Sequence, residues 1–335
     1  MMTRIRDGGR VLFTALLLAG MVAMTGGGPA IAQEASPAAP AGGNTITAGP
    51  GEDEVTITHA QGETVVALNP EVVVTYDLAS MDTLLALGVH VAGVPELAGG
   101  TGPYDLAGVE TVGTLFEPDF EAVAALEPDL IIVANRSSAV FPELSEIGPT
   151  IDLSFAGVNF IEELRQNTLV LGTLFGKEAE AEAAMASIDA RVAALQAATA
   201  EAGTGMIVVT SGGALTALAP GAVGGRGSLI YETLGIETPV EDLEAATHGE
   251  PIAFEFLLEH NPDWLFVLDR DVATGEEGGV AAEQMLDNDI VHETTAYQQG
   301  HIVYLNPFDW YIIVGGGVDS TGRMLSELET AFGVE

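Results

Sequence analysis

Residues 120–136 read FEAVAALEPDLIIVANR, and residues 254–270 read FEFLLEHNPDWLFVLDR. Aligned without gaps, they match Phe120 with Phe254, Glu121 with Glu255, Pro128-Asp129 with Pro262-Asp263, Val133 with Val267 and Arg136 with Arg270. Each copy reads as a short helix, a Pro-Asp turn, a buried strand, and an arginine at the strand's carboxyl end. Turn chemistry alone explains a repeated Pro-Asp. It does not explain the repeated Glu and Arg, so the pair predicts two related lobes.

Around the repeat, apolar runs alternate with helical patterns. Short, continuous, often β-branched runs occur at Val55–Thr58, Val65–Leu68, Val89–Val94, Leu130–Ala134, Ile151–Ser154, Met206–Thr210, Trp264–Leu268 and His301–Leu305. Such runs are expected of strands buried on both faces. Helical patterns cover Glu71–Leu87, Phe120–Leu126, Phe254–His260 and Gly317–Phe332. The alternation argues an α/β fold with mainly parallel sheets. Residues 178–200 are rich in Ala, Glu, Leu and Met, and predict one helix of about 23 residues, roughly 35 Å long, as a spacer between the lobes. The expected organisation is an N-terminal lobe over 55–176, a linking helix over 177–202 and a C-terminal lobe over 203–335.

Ahead of the lobes, Arg4, Arg6 and Arg10 precede an apolar run from Val11 to Met24 and a small-residue end at Ala30-Ile31-Ala32. This is the pattern of a cleavable export signal over 1–32. Residues 33–54 carry Ala, Pro, Gly, Ser and Thr without apolar period, and read as a disordered linker. The chain has no cysteine, which excludes disulfides, thiolate metal sites, a cysteine nucleophile and a lipid-accepting cysteine.

The chain has 10 basic against 49 acidic residues. Removing residues 1–32 takes away three Arg and one Asp, leaving 7 basic and 48 acidic residues, a formal net charge of −41. Such a surface repels nucleic acid and anionic membrane. With so few cations, the place of each is informative.

Arg136 and Arg270 each follow a buried strand directly. In open α/β sheets ligands bind beyond the carboxyl ends of the strands, so two facing lobes would aim both guanidiniums into one cleft. The rigid fork of Arg donors suits anionic oxygens; a lone Arg among so many carboxylates would equally form a surface ion pair. Arg226, in Gly224-Gly225-Arg226-Gly227-Ser228, precedes a helical pattern, where glycines allow close backbone approach to an anion. A flexible loop pairing Arg226 with Glu232 or Asp242 is the alternative. His248 lies in a loop before the second repeat helix, and Trp310-Tyr311 just past the strand ending at Leu305. Imidazole and phenolate both bind ferric iron, although a loop His and a Trp-Tyr pair also suit a polar surface and simple packing. Arg165, Lys177, Arg191 and Arg323 read as solvated helix faces. No nucleophile elbow, dinucleotide fingerprint or phosphate loop is present, so no enzymatic activity is expected.

The stretches VGTLFEPDFEAVAALEPDLIIV, GGRGSLIYETLGI, HGEPIAFEFLLEHNPDWLFVLDRD and LDNDIVHETTAYQQGHIVYLNP, with Trp310-Tyr311, resemble the iron-siderophore branch of ABC-transporter substrate-binding proteins. They are most similar to its catecholate and petrobactin-type members. The resemblance runs from about Val55 to the C-terminus. It implies two Rossmann-like lobes joined by one long helix, with the ligand cleft between them. Arg136, Arg226 and Arg270 correspond to an arginine triad gripping catecholate oxygens. Trp310 would adjoin the ligand. His248 and Tyr311 would complete the iron's coordination when the siderophore is tetradentate. Glu121 and Glu255 correspond to lobe-tip carboxylates that dock on the permease; helix N-terminal charge complementarity is their other reading. The implied partners are a ferric siderophore and an ABC permease with its ATPase, with no nucleic acid and no cofactor beyond the chelated iron. A periplasmic monomer without lipid anchor is expected. Haem or a cobalamin is the alternative ligand.

Overall fold

The computed structural model describes residues 43–97, 100–221, 227–243, 249–276, 279–313 and 316–334. The export signal expected over 1–32 lies outside them. The chain begins as an antiparallel meander of β1 (Thr45–Ala48), β2 (Glu54–His59) and β3 (Gly62–Ala67), in which Thr45 pairs with Thr58 and Val55 with Val66. The expected linker over 33–54 is therefore corrected at its end: β1 lies within it. Asn44 is 5 % exposed and its amide donates to Asn167 Oδ1 at 2.7 Å, so the strand is tied down from outside its own sequence. Val55 and Ile57 point inward while the residues between them face out, giving a one-sided strand rather than one buried on both faces.

The first lobe's sheet is entirely parallel, in the order β6-β5-β4-β7-β8. Its strands are β4 (Val73–Thr75), β5 (Gly93–Val94), β6 (Glu110–Thr111), β7 (Leu130–Val133) and β8 (Thr150–Asp152). The central β4 falls inside the stretch expected to be helical from Glu71. The β-branched run Val72–Thr75 takes the strand, and Asp77 then caps α1 (Leu78–Ala86) by accepting from the Ser80 N–H at 2.9 Å. Helix α2 (Phe120–Ala125) leads into β7, and α3 (Phe141–Leu144) lies between β7 and β8.

Helix α4 (Phe160–Leu174) closes the first lobe, and α5 (Glu178–Thr199) runs for 22 residues, about 33 Å, into the second. Ala181, Met185, Ile188, Val192 and Leu195 recur at helical spacing along its buried face.

The second sheet has the order β11-β10-β9-β12-β13. Strands β9 (Gly205–Ser211), β12 (Trp264–Asp269) and β13 (Ile302–Leu305) are parallel, while β10 (Ala214–Leu218) runs antiparallel to both β9 and β11 (Glu250–Ile252). Gly212 and Gly213, both at positive φ, form the two-residue hairpin from β9 to β10. Helix α6 (Phe254–His260) precedes β12, and α7 (Arg270–Thr274) follows it. Helices α8 (Ala282–Leu286), α9 (Asp289–His292) and α10 (Thr295–Gln299) fill the crossover to β13, and α11 (Val318–Phe332) packs on α5. The fold is thus α/β with two lobes, one sheet parallel and the other mixed.

The sequence repeat is also a structural one. Glu127 and Asn261, equivalent residues before the Pro-Asp pairs, both have positive φ, 50° and 42°. Asp129 Oδ2 accepts from the Glu71 and Val72 N–H groups at 3.0 and 2.9 Å, just ahead of β4. Asp263 Oδ2 likewise accepts from the Thr204 N–H at 2.8 Å, just ahead of β9. In each lobe the aspartate anchors the amino end of the strand that pairs in parallel with its own. The repeat thus encodes strand pairing as well as the turn.

One apolar cluster runs from Val73 and Leu130 through Met185 and Leu195 to Phe266 and Leu325, so the two lobes share a core. Against it stands the acidic surface. Burial also pushes the carboxyl of Asp82 upward, though Tyr104, the Ser320 N–H and Arg323 oppose it; burial raises that of Glu327, though the Trp310 indole opposes it. Carboxyls raised in the folded state stabilise it at low pH, and that contribution is lost as pH rises through their folded values. Charge repulsion acts in the same direction. The melting temperature is therefore expected to rise with added salt at neutral pH, where screening weakens that repulsion. Thermal scans over a salt series check this; a fall with added salt would contradict it.

Candidate functional site

Strands β7 and β12 end at the same relative edge of their sheets, and the residues that follow carry the two repeat arginines. Arg136 lies in a short 3-10 helix over Asn135–Val140, and Arg270 opens α7, whose N-cap Asp269 accepts from the Val272 N–H at 3.0 Å. The two side chains reach neighbouring residues of one short π-type turn, Phe308–Ile312. Arg136, from the first lobe, donates through Nη2 to the Ile312 carbonyl. Arg270, from the second, donates through Nε to the Tyr311 hydroxyl at 2.9 Å and through Nη1 to Ser211 Oγ at 2.9 Å. The matched arginines therefore reach adjacent residues of one turn.

Arg270 is held mainly by hydroxyl groups, and its carboxylate neighbour Glu276 is 3.8 Å away on an exposed side chain. The Tyr311 hydrogen bond raises its pKa despite opposing desolvation. Asp77 is buried beneath Arg136; burial pushes its carboxyl up, and the Arg136 charge works against that. Ser211 Oγ in turn donates to Asp271 Oδ1 at 3.2 Å, whose Oδ2 accepts from the Gly212 N–H at 2.8 Å. The hairpin turn after β9 thus braces Arg270 from behind.

Other described cations form close ion pairs. Lys177 meets Glu180 at 3.2 Å, Arg165 meets Asp189, and Arg191 forms a two-pronged pair with Glu329 at 2.7 Å. Arg323 is corrected from a solvated helix face. It is clamped by Asp309 at 2.7 Å and reaches Asp82 of the first lobe at 3.4 Å. Helical periodicity could not reveal this, because Asp309 lies in the turn ahead of the helix and Asp82 comes from the other lobe.

Tyr311 is 8 % exposed and stands at the convergence. Trp310, expected beside the ligand, is 2 % exposed, and its indole N–H donates to Glu327 Oε2 at 2.8 Å. Arg226 and His248 lie outside the described residues. Beside the first of them in sequence, Ser228 Oγ donates to the Gly157 carbonyl across the lobes. Glu121 and Glu255 are exposed on the first turns of α2 and α6. Each of these helices runs back from the carboxyl edge of its sheet, so both carboxylates lie on the arginines' side. Ser211, Asp271 and the Ile312 carbonyl were not expected from the sequence; Ser-Gly-Gly after a strand was the available signal for the first.

A family model described as periplasmic binding protein matches residues 58–307. The chain belongs to the periplasmic binding protein family. This periplasmic binding protein is 33 % identical over 298 residues to the petrobactin-binding protein YclQ of Bacillus subtilis, covering 86 % of this chain and 92 % of that one. The crystal structure of YclQ superposes with a TM-score of 0.78, at 32 % identity, covering 85 % of this chain and 100 % of YclQ. The periplasmic catecholate-siderophore binding protein VctP of Vibrio cholerae gives 0.76 at 33 % identity, over 83 % and 99 % of the two chains. A TroA-like periplasmic binding protein of Xylanimonas cellulosilytica gives 0.75 at 44 % identity, over 86 % and 97 %. The family is one of binding proteins.

Proposed function

We propose that the protein binds a ferric siderophore with catecholate-type donors between its lobes and delivers it to an ABC importer. The observation that carries this reading is the meeting of Arg136 and Arg270, from equivalent positions of two lobes, on adjacent residues of one turn. Relatives named for petrobactin and for catecholate siderophores support the ligand class. Export of the mature chain without a lipid anchor, as a monomer, belongs to the same reading.

A ferric catecholate is anionic, and the acidic surface opposes its approach. Exposed charges are screened beyond about 8 Å at physiological salt, so guanidiniums lining the groove dominate there. Each charge-assisted hydrogen bond contributes about 1.5–3 kcal/mol. Arg136, Arg226 and Arg270 together account for micromolar or tighter binding after the cost of association. Iron arrives as cargo in its chelate. A tetradentate siderophore leaves two positions on the metal, and Tyr311 and His248 supply the phenolate and imidazole to fill them.

Native mass spectrometry of the protein with a panel of ferric siderophores, haem and a cobalamin tests the reading. A 1:1 complex with a ferric catecholate is expected, and capture of haem or cobalamin alone would replace the proposed ligand. Tyr311→Phe is expected to weaken a tetradentate bis-catecholate by about tenfold while leaving a hexadentate tris-catecholate nearly unchanged. Titrations following the iron charge-transfer band check this, and equal effects on both ligands would remove Tyr311 from the metal.

A further inference from the structure

Every residue of the turn that receives the two arginines is pinned to something different. The Phe308 ring packs beside Tyr104 of the first lobe, with centroids 5.9 Å apart. It also fills the space over Gly102, where a Cβ would sit 2.6 Å from the ring. Asp309 receives Arg323, Trp310 is held by Glu327, Tyr311 by Arg270, and Ile312 by Arg136. The Asp309 anchor leads into a cluster of charged and polar groups at the lobe junction. Arg323 bridges Asp309 and Asp82, Tyr104 donates to Asp82, and Asp82 accepts from the Asp319 and Ser320 N–H groups that open α11, at 2.8 and 3.1 Å. Asp82 is fully buried in the first lobe yet caps a helix of the second.

From this placement we infer that Asp82, Tyr104 and Arg323 are positioning residues of the binding site. They fix the angle between the lobes and, through Asp309, the turn that presents Tyr311 and the Ile312 carbonyl to the two arginines. The inference rests on the ferric-siderophore reading for its ligand but not for its geometry. A buried charge cluster of this kind is poor at adding net stability and strong at selecting one arrangement, because removing one partner leaves the others uncompensated.

Arg191 is the control. It makes an ion pair to the same helix α11, through Glu329, but touches neither the turn nor the first lobe's Asp82. The test compares Arg323→Met, Tyr104→Phe and Arg191→Met in the full chain by thermal unfolding, by hydrogen exchange of the 308–312 amides without ligand, and by titration with a ferric tetradentate bis-catecholate. Arg323→Met is expected to lower protection of the turn and affinity for the chelate by about tenfold each, with a smaller loss in Tyr104→Phe, while Arg191→Met loses stability alone. Should Arg323→Met fail to fold, Tyr104→Phe, which removes a single hydroxyl, carries the comparison. An unchanged turn and affinity in the Arg323 and Tyr104 variants, or losses that track stability in all three proteins, would overturn the inference. If wild-type protein ignores every ferric chelate, the siderophore reading fails while the exchange data still decide the positioning role.

Discussion

Arg270→Ala is expected to weaken ferric-catecholate binding by about tenfold to a hundredfold, the equivalent of one charge-assisted hydrogen bond. The side chain supplies positive charge beyond the end of β12 and orders Tyr311 and Ser211 around it. Truncation therefore removes a ligand contact and also releases the phenol. Arg270→Lys keeps the charge but loses the fork that holds two oxygens at once, so an intermediate loss is expected. Arg136→Ala should behave like Arg270→Ala. Because the two arginines meet adjacent residues, the double variant is expected to depart from additivity. Calorimetric or charge-transfer titrations measure this series. An Arg270→Ala protein with wild-type affinity for ferric catecholates would place the ligand elsewhere.

The second large effect concerns delivery rather than capture. Replacing both Glu121 and Glu255 by alanine is expected to cut iron uptake by tenfold or more while leaving siderophore affinity unchanged. The two carboxylates occupy equivalent exposed positions, one on each lobe, on the side where the strands end. As helix N-terminal charges each contributes only about 0.3–1 kcal/mol to its own helix. The double variant should therefore fold and bind normally, and a transport defect would isolate docking. Uptake of radiolabelled ferric siderophore in cells carrying the cognate permease, beside binding measured on purified protein, separates the two steps. Unimpaired uptake would return both residues to helix capping.

Much of the architecture was legible because the relevant signals are local. Continuous apolar runs marked β7, β9, β12 and β13, and the Ala-Glu-Leu-Met stretch marked α5. Strand β4 was hidden because its three residues sit directly against a helix start, where a run of apolar positions suits either structure. Its Asp77 cap was the sign that the helix begins later. Strands β10 and β11 were missed although Gly212-Gly213 is a hairpin signal, because the alternation around it is short. Strand β1 has no core-forming pattern of its own; it exists by pairing with β2 and by the side chain of Asn44.

The sequence by itself determined two lobes, a long linking helix and an arginine after each repeat strand, since strand propensity, helix propensity and a gapless repeat are written in neighbouring residues. Only the tertiary structure decided that Arg136 and Arg270 meet on one turn, that Trp310 turns inward, and that Arg323 belongs to a buried cluster with Asp82. Those outcomes depend on contacts between residues as much as 241 positions apart. Such contacts arise from how two lobes pack on a shared core, which no local pattern of charge or apolarity encodes.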